Sequence, residues 1–139
     1  MSLKLQISTS GLKLEGLREL RKQYPERLQE VIQRFVDSTK RGVEDLINNS
    51  TPTGRMYTIR GVQHQASAPG EPPAIWTGTL VGSIRSRVGK LSGSVGTNTR
   101  YARFLEQGTR RMQPRPYLGP VFEEQVERLK ADIQRELFR

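Results

Sequence analysis

The sequence predicts an α+β fold: a small antiparallel sheet packed against a long central helix and a C-terminal helix, with a long Pro/Gly-rich loop. Three observations carry this prediction. Apolar residues recur at helical spacing from Tyr24 to Ile47, and again from Phe122 to Leu137. Between those stretches lie short, glycine-punctuated segments that suit strands and turns. The 139 residues fit one domain, residues 1–139.

The chain opens on weak alternation. Leu3, Leu5 and Ile7 are apolar, with Lys4, Gln6 and Ser8 between them, which predicts a short edge strand within Met1–Ser10. Leu14, Leu17 and Leu20 step by three and predict a short helix over Leu14–Lys22.

The next element has the strongest periodicity. Tyr24, Leu28, Val31, Ile32, Phe35, Val36, Thr39, Val43, Leu46 and Ile47 form one stripe. Charged residues from Glu26 to Asp45 tend to the other side. Pro25 suits a first helical turn, where a missing N–H costs nothing. Asn48, Asn49, Ser50 and Pro52 end the helix. Such a stripe is a core face; a partner-binding face is the sharper alternative.

Residues 51–76 hold Pro52, Pro69, Pro72 and Pro73 with several glycines, and almost no periodicity. An extended loop is expected, with a short extended piece at Tyr57–Val62. A structureless loop this long is unusual in a compact domain unless it is functional or waits for a partner. Thr77–Ile84 begins as a helical turn capped by Thr77. Ile84–Val88 and Ser92–Val95 read as two strands around a Gly89–Gly93 turn. Thr99–Gln107 reads as a short helix stopped by Gly108, with Tyr101 and Leu105 on one face entering the core. Arg110–Pro116 is a basic loop. The last helix carries Phe122, Val126, Leu129, Ile133 and Leu137, with Glu123, Glu124 and Glu127 near its favourable N-terminal end.

Charge is unevenly placed. The net charge is +9, and residues 76–118 hold eight basic groups against Glu106 alone. A field of this kind favours a polyanion or an acidic partner surface; a solvated basic face is the bland reading. Arg85, Arg87, Lys90, Arg110, Arg111 and Arg115 are the channel- or partner-facing candidates. Tyr101, Phe104 and Tyr117 are interleaved nearby, yet no sequence-reading nucleic-acid motif is present, so only non-specific phosphate contact is implied.

Catalytic chemistry finds little to use. There are no cysteines, and His64 is the only histidine. It lies in the loop with Glu71 as its nearest carboxylate in sequence. A metal site needs several converging ligands, and a serine triad would have to use this histidine. The other acids interleave with Lys and Arg on helix faces. No catalytic, metal or cofactor residue is assigned, and no enzyme activity is expected. No signal peptide and no membrane-length apolar run are present, so no membrane partner is expected.

Four motifs then stand in order. Residues 67–73 read Ser-Ala-Pro-Gly-Glu-Pro-Pro, and residues 77–84 read Thr-Gly-Thr-Leu-Val-Gly-Ser-Ile. Residues 101–109 read Tyr-Ala-Arg-Phe-Leu-Glu-Gln-Gly-Thr, and residues 115–120 read Arg-Pro-Tyr-Leu-Gly-Pro. From Ala66 onward this series resembles the tailed-phage minor tail-component family, typified by gene product ten of phage HK-ninety-seven. The resemblance implies a virion structural protein of a phage or prophage, acting in head–tail joining or tail completion. It implies a homo-oligomeric ring, often sixfold, around the DNA channel, with other neck or tail proteins as partners. It implies a place in the virion neck or tail, and in the host bacterial cytoplasm during assembly. A sequence-nonspecific nucleic-acid-binding protein is the alternative. Pro69, Gly70, Glu71, Pro72, Pro73 and Trp76 are the candidates for subunit contact. Arg115, held between two prolines, is expected to form a structural ion pair with Glu106.

Overall fold

The computed structural model describes residues 3–8, 17–75 and 78–137. In chain order its elements are β1 (Leu3–Ser8), α1 (Leu17–Gln23), α2 (Pro25–Asn48), β2 (Met56–Ile59), β3 (Val62–Gln65), α3 (Thr79–Gly82), β4 (Arg85–Gly89), β5 (Ser92–Thr97), α4 (Ala102–Gln107) and α5 (Gly119–Leu137). The architecture is α+β, with a three-stranded antiparallel sheet, α2 packed on it, and α5 packed on α2.

Helix α2 follows from its stripe. Leu28, Val31, Ile32, Phe35, Val36, Thr39, Val43 and Ile47 are buried. Each such aliphatic or aromatic burial stabilises by about 2 kcal/mol. Thr39 is tolerated inside because its hydroxyl donates to the Phe35 carbonyl at 2.7 Å. The ends of the stripe are looser than its spacing suggests. Leu46 is half-buried, and Tyr24 is exposed, with the Arg27 guanidinium 4.6 Å from its ring centre.

Helix α5 runs antiparallel to α2. Arg27, near the start of α2, donates Nε–H to Glu136, near the end of α5, at 2.9 Å. Phe35 and Phe122 meet edge to face with centroids 5.6 Å apart. Helix α1 adds Leu17 and Leu20 to the core.

Strand β5 is central, in the order β1–β5–β4. Leu3 faces Thr97 and Ser8 faces Ser92 on one side; Arg85 faces Gly96 and Gly89 faces Ser92 on the other. Gly93, Val95 and Thr97 are the buried positions of β5. A Cβ on Gly93 would collide with Val36 Cγ2, so glycine sets how closely α2 approaches the sheet. The edge-strand expectation for β1 holds over Leu3–Ser8; the remainder of Met1–Ser10, and Leu14 to Gly16, lie outside the described residues.

Residues 51–76 differ from a plain loop. They contain a second, two-stranded sheet, β2–β3, with Met56 facing Gln65 and Ile59 facing Val62. The expected extended piece at Tyr57–Val62 spans the turn of this hairpin. Arg60 and Gly61 both have positive φ, 50° and 78°, as the tight two-residue hairpin turn requires. Arg-Gly is a weaker turn signal than Asn-Gly, and Gln63, His64 and Gln65 break the alternation in the second strand, which hid the hairpin. Trp76 and Thr77 lie outside the described residues, and with them the cap assigned to Thr77; the residue before α3 is Gly78.

Tyr101 also departs from expectation. Helix α4 starts at Ala102, which is the buried residue; Tyr101 is 43% exposed and Leu105 half-buried. The helix starts three residues later than expected, and Ala102 rather than Tyr101 takes the core-facing position at its start. Among the described residues, no helix is long and apolar enough to cross a membrane.

Candidate functional site

Three of the four sequence motifs are wired to one another. The first N–H groups of any helix lack intrahelical partners. Ahead of and at the start of α5, Glu106 supplies them: its Oε2 accepts from Tyr117 N–H at 2.8 Å and Leu118 N–H at 3.0 Å, and its Oε1 accepts from Gly119 N–H at 2.6 Å. A carboxylate from α4 therefore sits where the α5 dipole is positive. Glu123, Glu124 and Glu127 lie beyond the first turn, because α5 already begins at Gly119.

The expected Glu106–Arg115 ion pair is not formed. Arg115 donates Nε–H to the Ser67 carbonyl at 3.1 Å and an Nη1–H to the Gln113 carbonyl at 3.2 Å. Its backbone N–H reaches the Leu105 carbonyl at 2.6 Å. Three converging amides satisfy the carboxylate, which leaves the guanidinium to tie two loops together. Tyr117 is fully buried and its hydroxyl donates to the Ala102 carbonyl at 3.0 Å. Burial, and then the nearby Glu106 charge, push its pKa well above the ordinary tyrosine value.

The Pro-rich motif forms a turn. Glu71 N–H donates to the Ala68 carbonyl at 3.0 Å, and Gly70 takes φ 86° after Pro69. Proline followed by a positive-φ glycine is the signature of a type II turn. The Glu71 carboxylate accepts from the Thr53 hydroxyl, from Ala68 N–H at 2.8 Å and from Thr53 N–H at 3.1 Å. The Thr53 hydroxyl first, and then those two N–H groups, hold its carboxyl below the usual range. Gly70 N–H donates to the Pro114 carbonyl at 2.9 Å, and the Ser50 hydroxyl to the Pro73 carbonyl at 3.3 Å.

The subunit-contact candidates thus divide. Glu71 has its carboxylate engaged internally and Pro73 is buried; Pro69 and Gly70 are exposed and Pro72 is half-buried. Trp76, as noted, is outside the described residues.

The basic candidates also divide. Arg85, Arg87 and Lys90 are exposed on β4 and its turn, with Arg85 donating to the Gly82 carbonyl at 2.7 Å. Gln29 fastens that turn to α2: its Nε2–H donates to the Gly89 carbonyl at 3.0 Å and its Oε1 accepts from Leu91 N–H at 2.8 Å. Arg110 and Arg111 are exposed on a tight turn closed by Thr109 N–H to the Met112 carbonyl at 2.8 Å. Arg115 points back into the loop network.

Sequence reading missed the surface that the network supports. The β2–β3 hairpin is extended at its root by Gly54 N–H to the Ala66 carbonyl, 2.8 Å, and Ala66 N–H to the Arg55 carbonyl, 2.9 Å. Beyond that root it presents Met56, Tyr57 and Val62 at 51%, 44% and 57% exposure. At its base lies a groove of about 600 Å³ lined by Tyr57, His64, Ile75, Leu80, Tyr101 and Met112, among others. A second groove, of about 660 Å³, runs along α2 and α5 beside Asp45, Leu46, Val121 and Glu124. The signal for this surface was present only as absence of periodicity. Among the described residues, no group of three or more His, Asp or Glu side chains is placed to hold a metal ion.

A scan against protein-family models finds no match to this chain, and searches of curated proteins and of solved structures find none either.

Proposed function

We propose that this chain is a structural subunit of a tailed-phage or prophage virion, acting in head–tail joining or tail completion as a ring around the DNA channel. The observation that carries this reading is the hairpin arm. It is rooted firmly in the body by the motif network, yet it offers large apolar side chains to solvent. Exposed apolar surface with a rigid mount suits assembly, because ordering costs are met before a partner arrives. The ordered motif series supports the same reading. Native mass spectrometry and sedimentation of the full chain, alone and with neighbouring neck or tail proteins, should show a closed homo-oligomer. A phage lacking this gene that still builds complete, infectious tails would sink the proposal.

Nucleic-acid binding is the second reading, favoured by the two exposed guanidinium groups on the Arg110–Arg111 turn and by Arg87 and Lys90. It predicts duplex binding that falls steeply with salt. Binding unchanged in Arg110→Ala/Arg111→Ala and in Arg87→Ala/Lys90→Ala would exclude it.

A further inference from the structure

We propose that the β2–β3 hairpin of one copy docks on the α2–α5 groove of the next copy, in a head-to-tail contact. The proposal rests on the ring reading and names the interface within it. The hairpin strands make their principal contacts with each other. An isolated two-stranded hairpin is marginally stable in water, so one with an exposed apolar face gains from a covering surface. Tyr57, Ile59 and Val62 share that face by register, since Ile59 pairs with Val62 and lies two residues from Tyr57.

Charge selects the covering surface. Residues 54–67 contain Arg55, Arg60 and His64 and no acid. The α2–α5 groove offers half-buried Leu46 and Pro72 as apolar surface, with Asp45, Glu71 and Glu124 around it and no Lys or Arg in its lining. The other groove, beside Tyr101, is lined by Arg115 and no carboxylate, so it offers a basic tip no counter-charge. Among the described residues neither Arg55 nor Arg60 pairs with a carboxylate. Glu124 holds only an exposed pair with Arg128, which exchanges at little cost.

Reach makes the contact intermolecular. Thr53, at the hairpin root, lines the chain's own groove. Four strand residues carry the tip about 13 Å beyond that root. The root is fixed by the Thr53–Glu71 and Gly54–Ala66 bonds, and no residue of β2 or β3 lines the chain's own α2–α5 groove. A surface used on one side and its complement on the other repeats head to tail, which closes as a ring when the rotation allows.

The chain has no cysteine, so paired cysteines report the contact directly. In the full chain carrying Val62→Cys and Leu46→Cys, mild oxidation should give a ladder of disulfide-linked copies. Either single variant should give nothing larger than a dimer. Arg60→Glu should raise the concentration for half-assembly by about tenfold, and adding Asp45→Arg should restore it. Circular dichroism on each variant checks that changes at exposed Asp45, Arg60 and Val62 and at half-buried Leu46 leave the fold intact. An assembling wild-type chain whose double-cysteine form gives no ladder, or only an intramolecular bond, overturns the docking and leaves the ring reading standing. So does an Arg60→Glu chain that assembles like wild type. A wild-type chain that remains monomeric at all concentrations, with and without its neighbours, overturns both.

Discussion

Glu106 gathers three backbone N–H groups at the start of α5, and that is its main structural work. Replacing it with alanine leaves those groups without their charged acceptor. Glu106→Ala should lower unfolding stability by about 2 kcal/mol, with Glu106→Gln recovering part of the loss. Urea denaturation checks this, and a neutral result for alanine would contradict the capping role. Tyr117 makes a separate prediction at the same scale. Its folded pKa lies above the ordinary 10.0, chiefly because it is buried. A raised folded value means that its contribution is complete below the unfolded pKa. The contribution declines as pH rises past that value, because the unfolded chain ionises first. Tyr117→Phe should cost about 1 kcal/mol at neutral pH and flatten this part of the alkaline decline. Denaturation curves taken on either side of the ordinary tyrosine pKa decide it; an unchanged alkaline slope would refute the assignment.

At the scale of elements, the close approach of α2 to the sheet depends on Gly93. A methyl group there meets Val36 directly, so Gly93→Ala should destabilise by about 1–3 kcal/mol, visible as a lowered Tm. The turn at Ala68–Glu71 should respond to acid. Glu71 is held ionised below its ordinary 4.5, so its contribution is present above that value. It is lost as pH falls through the depressed value. Amide exchange at Thr53 and Ala68 should quicken in that window, and Glu71→Gln should quicken it at neutral pH as well. Exchange that is indifferent to both would remove Glu71 as the anchor of the turn. These elements were unequally legible. Helices α2 and α5 announced themselves, because a 3.6-residue period over many turns is hard to produce otherwise. The β2–β3 hairpin did not, because Arg60–Gly61 is a weak turn signal and Gln63, His64 and Gln65 break the alternation.

At the scale of the whole molecule, the proposed assembly would couple stability to concentration. If copies cover one another's hairpins, the apparent Tm should rise with chain concentration, since only the folded chain associates. Val62→Asp should abolish that rise while leaving the dilute-solution Tm within a degree or two. A wild-type Tm that is flat over a hundredfold dilution would speak against any self-association. The +9 charge acts at this scale too. Its excess lies in residues 76–118, but the fold distributes those groups over β4 and the turn after it, the start of α4, the Thr109–Met112 turn and an inward-pointing Arg115.

By itself the sequence determined the α+β class, the two long helices, the edge strand and the glycine-marked β4–β5 turn. Each of these is encoded by neighbours a few residues apart, through helical or strand periodicity and local backbone preference. Only the tertiary structure decided who partners whom. It sent Glu106 to the α5 amides rather than to Arg115, Arg115 to Ser67, and Glu71 to Thr53, and it left Tyr101 in solvent. Partners 11 to 48 residues apart are chosen by how packed helices and loops bring donors and acceptors together, and no local pattern carries that choice.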